Sequence, residues 1–192
     1  MKLVYKGKFD GNVESIPHGE HMPGAVKFKE ADDPKKLSVI ANGVSLVLIV
    51  LAIVILVWRG GFEAYNFLGV LVSLLSLVPH ELLHALCFQE TVYLYSYLSK
   101  GIMFVTGPET MTKARYVFMS LLPNIVFGWI PYIMFLINPK WGFLGTLGAF
   151  CICMGAGDYY NVFNALTQMP KGARTYLYQF NSYWYMPTDE KE

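Results

Sequence analysis

Between Leu37 and Trp58 the chain runs for 22 residues without a charged side chain. A helix rises about 1.5 Å per residue, so a run of this length crosses the roughly 30 Å hydrocarbon core of a bilayer. Inside lipid the backbone has no water to bond to and must satisfy its own polar groups, which confines such a segment to a helix. Trp58 stands at its end, where an amphipathic ring suits the headgroup layer. Three further apolar runs follow, at about 62–88, 114–137 and 141–169, the last opened by Trp141. They are interrupted in turn by Pro79, His80, Glu81 and His84, by Pro123 and Pro131, and by Asp158. The sequence therefore predicts an all-α integral membrane protein with four transmembrane helices at about 37–58, 62–88, 114–137 and 141–169.

Composition points the same way. Charged residues make up 15% of the chain and hydrophobic ones 54%, whereas a soluble domain carries about a quarter charged residues. The formal net charge is +1 and no basic cluster stands out, so no nucleic-acid partner is expected. Cys87, Cys151 and Cys153 lie in or beside apolar runs without Cys-x-x-Cys spacing, and read as small packing residues.

The polar stretches divide the rest into an N-terminal region, 1–36, a membrane core, 37–169, and a tail, 170–192. Lys2–Lys6 and Ala25–Lys29 alternate as strands do. Val92–Tyr97 and Ile102–Val105, joined by Leu98-Ser99-Lys100-Gly101, suit a β-hairpin in the loop between the second and third helices. Gly107-Pro108 ends it, and Thr110 or Thr112 can cap the third helix. The first long apolar run begins only at Leu37, so no cleavable signal peptide is expected. Four spans would place the N-terminal region, the middle loop and the tail on one side with 13 Lys and Arg, against Arg59 and Lys140 on the other. The positive-inside rule then sets both termini in the cytoplasm.

The chemistry centres on His80-Glu81-Leu82-Leu83-His84. On a helix, histidines four apart share a face and can take adjacent corners of a zinc tetrahedron, with Glu81 beside the position of an attacking water. With four His and nine Glu in the chain, random placement produces this pattern roughly 0.004 times. Ionisable groups inside an apolar run are costly and mark function. A catalytic zinc needs a third protein ligand. Asp158 is the one charge in the fourth run, and it lies at a depth matching His80; Glu90 and Glu109 are rivals, more easily solvated in their loop. Asn161, Asn164 and Asn124 are candidates for holding ligands or polarising a carbonyl, with amide bonding between helices as the plainer alternative. Pro79 frees a carbonyl one turn before the motif. His18 and His21 read as solvated loop histidines.

The motif late in one apolar run, the β-prone loop and Gly157-Asp158 in a later run together resemble the site-2 protease pattern of intramembrane metalloproteases. More closely, roughly 62–169 and Pro170-Lys171-Gly172-Ala173 resemble a family of small bacterial membrane proteins described as zincin peptidases. The resemblance implies zinc held by His80, His84 and Asp158, Glu81 as general base, and substrate strands pairing with the hairpin loop. Site-2 proteases carry Leu-Asp-Gly where this chain reads Gly157-Asp158-Tyr159, and they often carry accessory domains for which it has no room. The expected function is zinc-dependent hydrolysis of membrane-protein or peptide substrates within the bilayer of a bacterial cell. The alternative is a non-proteolytic membrane protein using the same zinc site for binding or assembly.

Overall fold

A computed structural model describes residues 1–31, 34–60, 63, 66–97, 101–178 and 181–187. The chain divides into a helical unit, Asp33–His80 with Ser120–Tyr160, and a sheet unit, Met1–Asp32 with Glu81–Met119 and Asn161–Glu192. Three helices run across these limits. Of the expectations above, the start of the run at 62 and the turn residues Leu98, Ser99 and Lys100 lie outside the described residues.

The long uncharged run forms α1, Pro34–Trp58. It is followed by α2, Phe67–Leu75, and α3, Leu77–Leu86. Pro79 has no N–H to offer the carbonyl one turn back. Near that gap the Ser76 hydroxyl donates to Ser73 O at 2.6 Å, and α3 leaves α2 at a bend of 43°. Next come α4, Lys113–Pro123, a π-helical turn over Asn124–Trp129, and α5, Ile130–Ile137. Thr112 Oγ1 accepts the Arg115 N–H at 3.3 Å, as expected of a cap. The fourth apolar run breaks at Gly155 into α6, Gly142–Met154, and α7, Ala156–Gln168.

These breaks overturn the all-α protein with four transmembrane helices. Among the described residues two helices are long and apolar enough to cross a membrane, Lys35–Trp58 and Lys113–Ile137, or three if the bent α2–α3 pair counts as one. With 13 residues each, α6 and α7 reach only about 20 Å apiece, short of the hydrocarbon thickness. The chain also forms two β-sheets.

Within the helical unit, the core gathers Ala52 and Leu56 of α1, Tyr132 and Phe135 of α5, and Ala149 and Ile152 of α6. Small residues let the backbones close up. A Cβ on Gly148 would stand 2.6 Å from Tyr132 N and 2.7 Å from Gly128 O. Outward, α1 exposes Val39, Leu46, Val47, Val50, Leu51 and Val54, a surface suited to lipid and an aggregation liability in water.

The sheet unit holds more strands than the one hairpin expected beside the helices. One sheet has the order β1-β3-β4. Its strands are β1, Lys2–Lys8, parallel to β3, Thr91–Tyr97, and β4, Ile102–Thr106, antiparallel to β3. The expected hairpin is therefore present, with Leu94 opposite Val105, but its first strand is already paired on both sides. Among the described residues the hairpin's outer edge is that of β4. The second sheet has the order β2-β7-β6-β5: β2, Val26–Lys27, β5, Met111–Thr112, β6, Arg174–Tyr178, and β7, Asn181–Tyr185. The segment read as a plain tail thus forms a hairpin. Tyr176 and Tyr178 line up across it with Tyr183 and Asn181.

Candidate metal centre

Helical spacing alone brings the motif together. On α3 the donor atoms of His80, Glu81 and His84 lie within 4.8 Å of one another, and the three residues are only 9%, 7% and 6% exposed.

In the helical unit His80 Nε2 stands 3.2 Å from Asp158 Oδ2. Two donors on a tetrahedral ion, each about 2.0–2.1 Å away, are separated by about 3.3–3.4 Å. The observed spacing fits a shared ion as well as a hydrogen bond. The same Asp158 oxygen accepts from Asn124 Nδ2 at 2.7 Å. Asn124 is fully buried and opens the π-helical turn after Pro123, a widened turn of the kind frequent at functional sites. Its Nδ2 also donates to Ser120 O at 3.1 Å. Gly155 makes room for it, since a Cβ there would collide with Asn124 Oδ1.

In the sheet unit His84 Nδ1 lies 2.9 Å from Met119 O on α4. A carbonyl can only accept, so Nδ1 carries the proton and the Nε2 lone pair is the one a metal would take. Metal-binding histidines are held this way as a rule. The group on α3 is two buried imidazoles, one with its tautomer fixed, and the Glu81 carboxylate. It suits zinc.

The remaining candidates separate. Glu109 is not the solvated residue expected of its loop: it is 7% exposed. Its Oε2 accepts the N–H groups of Gln89 and Glu90 at 2.8 and 3.0 Å, and its Oε1 pairs with Arg115 Nη1 at 2.6 Å. Burial pushes this carboxyl up, but the two amides and the guanidinium outweigh it and hold it below the usual carboxylate range. Glu90 is exposed. Asn124, rather than the half-buried Asn161, meets the Asp158 carboxylate, and the buried Asn164 accepts from Gln168 Nε2 at 3.0 Å. His18 and His21, exposed as expected, pack on the tail hairpin, with His21 Nδ1 3.0 Å from Tyr176 OH. Arg115 and Met119, which build the surroundings of α3, carried no signal of that role in the sequence.

Neither a curated protein nor a solved structure matches the chain. Residues 73–174, more than half of it, match the profile of a family described as "putative zincin peptidase". That stretch includes the motif on α3, the β3–β4 hairpin, Asn124 and Asp158, and the chain belongs to this family.

Proposed function

We propose that the protein is a zinc-dependent intramembrane peptidase of the HExxH type, with His80, His84 and Asp158 as ligands and Glu81 as general base. The observation that carries this reading is the His80–Asp158 contact at 3.2 Å, which joins the motif to the one charged residue of a distant apolar run. Bound zinc supplies a Lewis acid for the scissile carbonyl and lowers the pKa of water towards about 7. Glu81, next to His80 and buried, takes the proton from the attacking water and delivers it to the departing amine nitrogen as the C–N bond breaks. Met119 O keeps the His84 ring in one orientation, and Asn124 keeps one Asp158 oxygen turned towards His80.

Two apolar helices of spanning length support a membrane location, here read as the bacterial cell membrane with both termini in the cytoplasm. The substrate is a membrane-associated polypeptide presented as an extended strand. The outer edge of β4 is the place where its backbone would pair.

The test is Glu81→Gln in the purified, detergent-solubilised protein, assayed with a library of quenched-fluorescent peptides and by metal analysis. Zinc content should stay at the wild-type level while the cleavage rate falls by about 10²–10⁴. His80→Ala should lose zinc and activity together. A Glu81→Gln protein with undiminished function in cells would favour a zinc-binding or assembly role without proteolysis.

A further inference from the structure

The first turns of α4 reach the C-terminal ends of both helices that carry the proposed ligands. Arg115 donates to Cys87 O, just past the end of α3, through Nε at 2.9 Å and Nη2 at 2.5 Å. Its third nitrogen, Nη1, rests on Glu109 Oε1 at 2.6 Å. Glu109 in turn accepts the N–H groups of Gln89 and Glu90 at 2.8 and 3.0 Å. The segment leaving α3 is thus gripped by one carbonyl and by the two amides that follow. Two residues before Arg115, Lys113 donates from Nζ to Leu166 O at 3.2 Å and Met169 O at 2.8 Å, at the end of α7. One turn after Arg115, Met119 supplies the carbonyl that receives His84 Nδ1.

The last carbonyls of a helix lack partners within it and carry partial negative charge, so a cation placed there satisfies both demands. An exposed ion pair would be worth little. Here the Glu109 side chain is only 6% exposed, and the guanidinium fork spends every nitrogen on α3's exit. Arg115 and Met119 share one face of α4, so whatever fixes Cys87 O against Arg115 also fixes the His84 ring against Met119 O.

We propose that Arg115, seated on Glu109, is a positioning residue for the metal centre. It locks the end of α3 so that His84 keeps its Met119 bond, while Lys113 performs the matching task for α7. The inference rests on the zinc reading above.

It is tested on full-length protein in detergent, stripped of metal, by zinc titration and by the visible spectrum after cobalt(II) substitution. Arg115→Gln should weaken zinc binding by about 10–100-fold and alter the cobalt band, with far-UV circular dichroism unchanged. Glu109→Gln, a gentler change, should move both readouts in the same direction and decides the matter if Arg115→Gln fails to fold. Arg115→Lys keeps the charge without the three-pronged contact and should stay nearer to Arg115→Gln than to wild type. Arg174→Gln is the control: among the described residues the side chain of this exposed arginine touches Thr110 at 3.5 Å, and its loss should change neither readout. Folded Arg115→Gln and Glu109→Gln proteins with wild-type affinity and spectrum would overturn the positioning role alone. A wild-type protein that takes up no zinc would instead overturn the zinc reading, and this inference with it.

Discussion

Taking a carboxylate out of water costs several kcal/mol unless other donors replace the solvent. One oxygen of Asp158 accepts from Asn124 Nδ2 at 2.7 Å and stands 3.2 Å from His80 Nε2. Asn124→Ala removes the shorter contact and leaves the carboxylate able to turn away from His80. Zinc affinity is therefore expected to fall about 10–100-fold with helical content retained; titration of the purified variant measures this, and an unchanged affinity would mean Asp158 needs no such support. At this scale the sequence was informative where chemistry is local. Among the candidates, His80, Glu81 and His84 stand out by spacing on one helix, and Asp158 and Asn124 as polar residues in apolar runs. Glu109 and Arg115 did not, because their meaning comes from where α3 ends, and six residues of separation say nothing about that. Glu109 looked solvated for the same reason: the backbone amides that bury and hold it belong to Gln89 and Glu90, about 20 positions earlier.

Elements follow from hydropathy only as far as hydropathy is continuous. The runs at 62–88 and 141–169 have the length of spans, but they break at Ser76, three residues before Pro79, and at Gly155, and the α2–α3 bend is 43°. Averaging over a window conceals such breaks, whereas a missing N–H or a missing Cβ acts at one residue. The tail hairpin was hidden differently. Its alternating tyrosines stand among Lys171, Arg174 and the acidic end, and they pack only because β2 and β5 supply partners from far along the chain. The glycines of α6 provide a test of how closely this unit is packed. Gly148→Val would drive side-chain carbons into the backbone of α5, and such overpacking costs about 1–3 kcal/mol or more. A Cβ added to Gly157, on α7, would meet nothing within 4 Å. Gly157→Ala should accordingly be neutral or add up to about 1 kcal/mol through helix propensity. Thermal unfolding in detergent compares the two, and equal effects would show that α6 does not pack as tightly as its contacts indicate.

At the scale of the whole molecule, strand pairing constrains topology more firmly than counting apolar helices. Three separate stretches are joined by backbone hydrogen bonds: β1 pairs with β3, β2 with β7, and β5 with β6. A ladder of this kind cannot be divided by a bilayer, so the N-terminal region, the loop after α3 and the tail hairpin must share one side. The chain leaves the sheet unit twice and returns twice, the second time through α6 and α7, neither long enough to cross alone. The cations agree with this grouping. Arg59 and Lys140 are the exceptions to a set of Lys and Arg gathered at the sheet segments and the helix ends that adjoin them. In the proposed function that side is the cytoplasm, as the positive-inside rule expects. The expected result is that reporters inserted at Gly101 and after Pro187 report the same side of the membrane. Opposite signals at these two sites would break this arrangement outright, since they would put β3 and β4 across the membrane from β6 and β7, to which the N-terminal strands β1 and β2 tie them.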